Sequence, residues 1–121
     1  MPLVKIEVAK GHTEEYKKKM FEAVFEGLSN ALSVPRENLM QRIFEWEPGS
    51  FELTPGKSEK FVLVEVTLLP GRDSVLKKSV ITEITRMLGK LCQIQPQDVF
   101  IVLHDPPKEN WGHNGLQATE W

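Results

Sequence analysis

The feature that most constrains the fold of this 121-residue chain is an internal repeat, in which residues 60 positions apart resemble one another. The matching positions are turn glycines, paired lysines and apolar residues: Gly11 with Gly71, Lys17-Lys18 with Lys77-Lys78, Val24 with Ile84, Leu28 with Leu88, Val34 with Ile94, and Leu39 with Val99. Each half reads as strand, helix, strand. The chain is therefore expected to form one domain from two copies of the same unit.

The first copy begins with a strand and a helix. Residues 3–8 alternate apolar with charged side chains, as a strand with one buried face does, and Gly11 then interrupts the pattern. Thr13 is a suitable N-cap for the next helix. The apolar residues of this helix recur at intervals of three and four and share one face: Tyr16, Met20, Phe21, Val24, Leu28 and Leu32. Pro35 ends the helical region, and residues 39–46 form the second strand.

The second copy repeats this order. Residues 61–69 read as a long, nearly continuous apolar strand, and residues 99–103 as the last strand. Between them, either Asp73 or Ser74 can cap the second helix. A segment with two Pro-Gly pairs separates the two copies. The predicted single domain thus has four parts: repeat 1 (1–47), a connector (48–59), repeat 2 (60–105) and a C-terminal segment (106–121).

Two strand–helix–strand units predict an α/β fold, or α+β sandwich. Right-handed crossovers between parallel strands place both helices on one face of a four-stranded mixed sheet. Strands 61–69 and 99–103 are apolar on both faces, which is expected where both faces are covered. A second subunit would supply that cover. The alternative is that the outer face meets water, as Lys5 and Glu7 in the first strand indicate.

Composition limits the partners. With 15 Lys and Arg against 17 Asp and Glu, the net charge is -2, which favours neither nucleic acid nor an anionic membrane as a partner. No apolar run reaches transmembrane length, and Lys5 and Glu7 interrupt any signal-peptide core, so a cytoplasmic location is expected. The lone Cys92 is expected to be buried. The histidines lack metal-site spacing and neither glycine turn is a phosphate loop, so no metal or cofactor is expected.

A proline that follows the first Met and opens a strand in a duplicated βαβ chain resembles the tautomerase superfamily, in its fused double-βαβ form. The similar segments cover nearly the whole chain: PLVKIEV, GHTEEYKKK, VPRENLMQRIFEWEP, PGRDSVLKK and DVFIVLHDPPKENWG. The chain is most similar to the malonate semialdehyde decarboxylase-like and uncharacterised tautomerase-like members. The resemblance implies cofactor-independent chemistry and, because six βαβ units assemble in the family, a homotrimer.

The resemblance implies that Pro2 is the catalytic residue. Methionine aminopeptidases generally remove Met before proline, which leaves a secondary amine. A free α-amino group has a pKa of about 7.7–8.0, and burial in an apolar site lowers that pKa because desolvation disfavours the charged form. Pro2 would then be a base near neutral pH that moves a proton between the oxygen and carbon ends of an enol. The alternative is that proline merely suits the first position of a strand.

Four residues are candidates for substrate binding. Arg72 lies in the PGRD turn near a helix N-terminus, and its family counterpart binds a substrate carboxylate; the alternative is a surface pair with Asp73. Asn38 aligns with an aspartate of the decarboxylase-like members. Trp111 is a candidate for stacking on a conjugated acid, or else for packing in the trimer. His113 could transfer a proton near the pocket, or be a surface turn residue.

Departures from the family pattern narrow the function. Leu69 stands where decarboxylases and cis-type dehalogenases have a further arginine, Asn38 replaces the aspartate, and Phe25 replaces a helix histidine. A keto–enol tautomerase of small 2-oxo or enol acids, of the phenylpyruvate type, needs only the amine and one anchor. The alternatives are a 3-oxo acid decarboxylase or hydratase, in which Glu37 or another group would replace the missing carboxylate, and a non-catalytic trimeric protein.

Overall fold

A computed structural model of the chain describes residues 2–121. Its body consists of β1 (Leu3–Ala9), α1 (Glu14–Leu32), β2 (Met40–Trp46), β3 (Val62–Thr67), α2 (Ser74–Cys92) and β4 (Val99–His104). A small hairpin, β5 (Gly112–His113) with β6 (Leu116–Gln117), follows. Met1 lies outside the described residues, and the question whether it is removed concerns that residue.

The four long strands form one mixed sheet in the order β2-β1-β3-β4. The outer pairs are parallel, and β1 and β3 are antiparallel at the centre. The predicted four-stranded mixed sheet with two crossover helices is confirmed. The strand limits differ from the predicted ones by at most two residues, because apolar sequence continues past the paired positions of β3.

The two copies begin and end their helices in the same way. Thr13 and Asp73 each accept a hydrogen bond from the backbone N–H three residues later, so Asp73 rather than Ser74 is the second cap. Ser33 and Gln93 end the helices in the left-handed conformation, both at a φ of 56°. The repeat seen in the sequence is therefore also a repeat of helix-terminating geometry. No helix in residues 2–121 combines the length and apolarity that crossing a membrane requires.

Both helices pack on one face of the sheet. Six inward-facing residues of the central strands are fully buried: Val4, Ile6 and Val8 of β1, and Val62, Val64 and Val66 of β3. The helices are in close contact at Gly27, where a Cβ atom would lie 2.7 Å from the Ile84 backbone. Cys92 is buried as predicted, and burial raises the pKa of its thiol to about 11.

The opposite, outer face of the sheet has an apolar part and a polar part. The apolar patch comprises Leu63 and Phe100, which are direct cross-strand partners, and Phe44, which is separated from Leu63 by Glu7 of β1; Phe44 and Phe100 are 49% and 56% exposed. Closer to the start of β1, the outward side chains are mostly polar: Lys5, Arg42, Glu65, Thr67 and His104. The expectation that β3 and β4 are apolar on both faces therefore holds for only part of the outer face.

The repeat continues beyond the second strand of each copy. A short 3-10 turn at Pro48–Ser50 is matched by one at Lys108–Asn110, and the residues that follow, Phe51 and Trp111, are both extended. In the connector, Phe51 stacks on Trp46 with 4.3 Å between the ring centroids. The connector and the C-terminal segment thus begin as copies of each other.

Candidate active site

Strand direction brings the predicted site residues to one edge of the sheet. Pro2 precedes β1, and its carbonyl oxygen accepts a hydrogen bond of 3.4 Å from the Met40 N–H at the start of β2. Because β3 runs antiparallel to β1, the turn that carries Arg72 also leaves the sheet at this edge. Pro2 is buried, whereas Arg72 is partly buried. The edge therefore combines a buried proline with a cationic turn.

The Arg72 side chain is held by a hydrogen bond within its own turn and not by an ion pair with a carboxylate. Its Nη1 donates a 3.0 Å hydrogen bond to the Leu69 carbonyl oxygen. The alternative pair with Asp73 is not observed, since the Asp73 carboxylate accepts from the Leu76 N–H at 2.9 Å. Within residues 2–121 no carboxylate lies within 4 Å of the Arg72 guanidinium. Its other N–H groups can therefore bind an anion beside the α2 N-terminus.

A cavity of about 440 Å³ opens on the outer face at this edge. It is lined by Leu3, Lys5, Arg42, Glu65, Thr67, His104 and Pro106. Leu3, which directly follows Pro2, is one of the lining residues, whereas Pro2 and Arg72 are not. We refer to this cavity as the outer-face cavity.

Two cations stand side by side in the outer-face cavity. Lys5 and Arg42 are direct partners in the parallel register of β1 and β2, an arrangement that repulsion between like charges disfavours. Lys5 has one carboxylate nearby, Glu7 at 3.9 Å, and Arg42 has no carboxylate within 4 Å among the described residues. The cavity is therefore electropositive on its β1–β2 side, which suits an anionic ligand.

On the other side of the cavity, His104 Nε2 lies 2.9 Å from Glu65 Oε1. The next residue, Asp105, instead pairs with Lys77 at 2.7 Å. The hydrogen bond and charge of Lys77 lower the pKa of Asp105. His104 and Asp105 thus belong to different pairs, as expected for neighbours on a strand.

The other predicted residues are divided between this edge and more distant positions. Trp111 donates from Nε1 to the carbonyl oxygen of Pro106, at 3.1 Å, which places it beside the cavity lining. Asn38 is exposed in the turn before β2 and does not line the cavity. His113 lies on the hairpin, 6.4 Å from the Trp121 ring, beside a separate cavity of about 190 Å³. The structure therefore brings Pro2, Arg72, Trp111 and the turn that carries Asn38 to one edge, and leaves His113 apart.

Sequence reasoning missed the polar side of the cavity. The alternation of apolar and charged residues predicts that Lys5 and Arg42 point away from the core. It does not predict the register between β1 and β2, and therefore does not show that these two residues are neighbours. Glu65 and His104 are 39 residues apart and meet only through the pairing of β3 with β4. The single available signal was that these charged residues interrupt otherwise apolar strands.

The sequence of this chain matches two described protein families. Residues 39–114, more than half of the chain, match the Tautomerase_2 family, described as tautomerase enzymes. Residues 2–55 match the Tautomerase family, with the same description.

Two curated relatives represent full-length and half-length similarity. The "Probable tautomerase YusQ" of Bacillus subtilis (strain 168) is 23% identical over 123 residues, which cover 98% of this chain and 97% of the relative. The 2-hydroxymuconate tautomerase of Comamonas testosteroni is 39% identical over 56 residues, 46% of this chain and 89% of the relative.

Solved structures show the same fold. Malonate semialdehyde decarboxylase, described with decarboxylase and hydratase activities, has a TM-score of 0.86 at 26% identity, over 96% of this chain and 93% of that one. A fused 4-OT, described as an asymmetric trimer, has a TM-score of 0.88 at 17% identity, over 98% and 97% of the two chains. The sequence matches and the duplicated architecture together establish that this chain belongs to the tautomerase family.

Proposed function

We propose that this protein is a keto–enol tautomerase of small 2-oxo or enol acids, of the phenylpyruvate type, with Pro2 as its acid–base residue. The observation that carries the proposal is that a buried Pro2 lies at the sheet edge where the Arg72 turn begins, and that Arg72 has no carboxylate partner among residues 2–121. The names of the tautomerase relatives support the reaction class.

The reaction requires one base that can return the proton it takes. With Met1 removed, the Pro2 nitrogen is a secondary amine, and burial makes it neutral at lower pH than an exposed amine. The amine takes the proton from the enol hydroxyl, the oxygen lone pair forms the carbonyl, and the C=C electrons take the same proton from nitrogen at carbon. No atoms are gained or lost, and Pro2 ends as it began.

In this proposal the protein binds its substrate mainly through the negative charge of the substrate carboxylate. The free N–H groups of Arg72 can form a bidentate pair with the substrate carboxylate, beside the N–H groups that begin α2. Lys5 and Arg42 add positive potential from the outer-face cavity. Trp111, which bonds to Pro106, would cover a conjugated or aromatic group of the substrate.

The same proposal includes assembly as a homotrimer. Leu63 and Phe100 of the apolar patch also line a cavity of about 360 Å³, which is bounded mainly by aromatic and aliphatic side chains of the connector and the sheet. A large exposed apolar surface of this kind marks an association site. Trimeric fused 4-OT structures with the same fold support three copies.

A second candidate function is decarboxylation or hydration of 3-oxo acids. Likeness to malonate semialdehyde decarboxylase, at 26% identity over nearly the whole chain, favours it. Asn38 cannot serve as a carboxylate base, and Glu37 is exposed in the same turn. This function would therefore need another base in the site. If Met1 stays attached, the proline nitrogen is an amide, and the remaining alternative is a non-catalytic trimer.

The test combines intact mass with two variants. We expect the purified protein to lack Met1 and to ketonise enolphenylpyruvate. Pro2→Ala leaves a mobile primary amine in place of the ring-held secondary amine and should lower kcat by about 100-fold, because the base is no longer held in position. Arg72→Ala should lower kcat/KM roughly 10–100-fold through loss of a charge-assisted hydrogen bond. Arg86→Ala, which removes an arginine paired with Glu83 on the same helix, is the matched control. Unchanged rates in the Pro2→Ala protein would disprove the mechanism.

A further inference from the structure

The turn that begins α1 repeats the turn that carries Arg72. Gly11 and Gly71 are equivalent in the two copies and have nearly the same positive φ, 118° and 120°. Each is followed by a basic residue and then by the cap of a helix, and the residue equivalent to Arg72 is His12. Because β1 and β3 are antiparallel, the turns that follow them lie at opposite edges of the sheet. The molecule therefore has a second edge built like the one at Pro2.

The two edges differ in the backbone nitrogen that they offer. By the same offset of 60 positions, the residue equivalent to Pro2 is Val62, which follows the connector in the middle of the chain. The Val62 nitrogen is a peptide amide in every form of the protein, so it cannot take up a proton as an amine does. An edge of this kind can bind an acid but cannot catalyse its tautomerisation.

A cavity of about 340 Å³ opens at this second edge. Three basic side chains line it, those of Lys10, His12 and Lys60, together with Tyr16 and Glu59. The His12 ring stacks on the Tyr16 ring with 4.6 Å between their centroids, which holds the imidazole against α1. We refer to this cavity as the His12 cavity.

The cations of the His12 cavity are weakly compensated. Lys60 has no carboxylate within 4 Å among residues 2–121. Lys10 pairs with Glu47 at 2.9 Å, but both side chains are well exposed, so water weakens the pair. With His12 protonated, three cations line the cavity against the single carboxylate of Glu59. The protonated cavity therefore suits an anion.

The acidic groups near His12 limit this preference. Glu59 lines the cavity, and Glu14 and Glu15 begin α1 directly after the cap. Glu14 is already paired with Lys17 at 3.3 Å, and Glu15 is exposed to solvent. The balance between anion binding and repulsion therefore depends on the charge of the imidazole.

A buried hydroxyl in the cavity wall lacks a hydrogen-bond partner. The Tyr16 hydroxyl oxygen is buried and has no partner among residues 2–121. Burial raises the pKa of Tyr16 to about 12, so the hydroxyl keeps its hydrogen and remains a donor at neutral pH. A buried donor without an acceptor is costly, and a carboxylate oxygen is the kind of acceptor that it lacks.

We propose that the His12 cavity binds a small carboxylate of the same class as the proposed substrate, so that each chain binds two acids and converts only one. The inference rests on the proposed carboxylate-binding role of Arg72 and does not depend on the chemistry of Pro2. The His12 imidazolium donates a charge-assisted hydrogen bond to the carboxylate, and Lys60 adds positive potential. Because the anchor is a histidine, binding strengthens as the pH falls from about 8 to about 5.

The experiment is an NMR titration with an acid that the proposed reaction cannot consume. The probe is 3-phenylpropionate, which lacks the 2-oxo group and cannot enolise. The amide signals of Gly11 and Gly71 in isotope-labelled protein report on the two turns separately. At pH 6 we expect both signals to shift, and at pH 8 we expect binding at Gly11 to be about 10-fold weaker because the charged hydrogen bond is lost.

Substitutions separate the anchor from the general charge of the surface. His12→Gln should weaken binding at Gly11 by about 10-fold at pH 6 and remove its pH dependence, whereas His12→Arg should keep tight binding up to pH 8 because a guanidinium stays charged. Lys60→Gln should weaken binding at Gly11 a few-fold. Lys18→Gln is the matched control, since it removes the same charge from an exposed position of α1 outside the cavity, and it should have no effect.

The two amide signals also keep this inference apart from the proposed function. A Gly11 signal that does not move in the wild-type protein at pH 6, or that moves equally in His12→Gln, would overturn the inference alone. A Gly71 signal that does not move, or that moves equally in Arg72→Ala, would instead overturn the anchoring role of Arg72 in the proposed function.

Discussion

At the scale of single residues, Gly27 sets the distance between the two helices. A Cβ atom at this position would lie 2.7–2.8 Å from the backbone and Cγ1 of Ile84, and backbone cannot move aside as a flexible side chain can. Alanine ordinarily stabilises a helix interior by up to about 1 kcal/mol relative to glycine. At Gly27 the overlap should outweigh this gain, because overpacking costs about 1–3 kcal/mol.

Gly27→Ala is therefore expected to lower the free energy of unfolding by about 1–2 kcal/mol, measured by urea denaturation. Gly89→Ala is the matched control, since a Cβ there meets only the Ile94 carbonyl oxygen at 3.4 Å. The control should be neutral or slightly stabilising. Equal effects of the two substitutions would show that helix propensity, not the close approach of α1 and α2, decides the cost.

At the scale of elements, hydrogen bonds to one carboxylate join the connector to the second copy. Asp98, 3% exposed at the start of β4, accepts hydrogen bonds from the Ser58 N–H at 2.9 Å and from its hydroxyl at 2.6 Å. Burial alone would raise the pKa of Asp98, but the hydrogen bonds from Ser58 and the charge of Lys57 outweigh burial and lower it. The ionised carboxylate is thus the form that stabilises the fold.

The lowered pKa fixes the direction of the pH dependence. The stabilisation is complete above the ordinary pKa of 3.8 and is lost as the pH falls through the lower folded-state pKa. Asp98→Asn should destabilise the protein by about 1–3 kcal/mol at pH 7 and reduce the loss of stability below pH 4, measured by thermal unfolding across pH. Asp105→Asn, whose exposed pair is worth little, should do neither. An Asp98→Asn protein with the wild-type acid profile would contradict this role.

Helices and strands that depend on residues close together in the sequence could be predicted. Contacts between residues on different strands could not, because they depend on the register of strand pairing. Thr13 as a cap and Pro35 as a helix end are local signals, and the structure confirms the helix that they delimit. Asn38 and Asp98 occupy equivalent positions in the two copies. Only Asp98 bonds to a connector residue, Ser58, which is 40 positions away in the sequence. His104 and Glu65 likewise meet through strand pairing. Sequence therefore proposed Pro2 and Arg72 as site residues but did not predict the outer-face cavity between strands.

At the scale of the whole molecule, the two faces of the sheet differ in exposure and in polarity. The helix face is a closed core, whereas the outer face presents the apolar patch beside the outer-face cavity. Covering Phe44, Leu63 and Phe100 with another copy would remove apolar surface from water at about 25 cal/mol per Å² and still leave the polar part free for substrate. The proposed trimer contact and the proposed site are thus neighbours on one surface.

The proposed trimer contact predicts that polar substitutions in the patch dissociate the assembly. Phe44→Ser combined with Phe100→Ser should shift the mass measured by sedimentation from three chains toward one, because both rings are about half exposed in the single chain and contribute little to its own core. Val75→Ser is the matched control, since Val75 is 73% exposed on α2, away from the sheet face. Helix content should remain unchanged in both proteins. A double variant that keeps the wild-type mass would place the contact elsewhere, whereas dissociation together with lost tautomerase activity would show that a neighbouring copy completes the site.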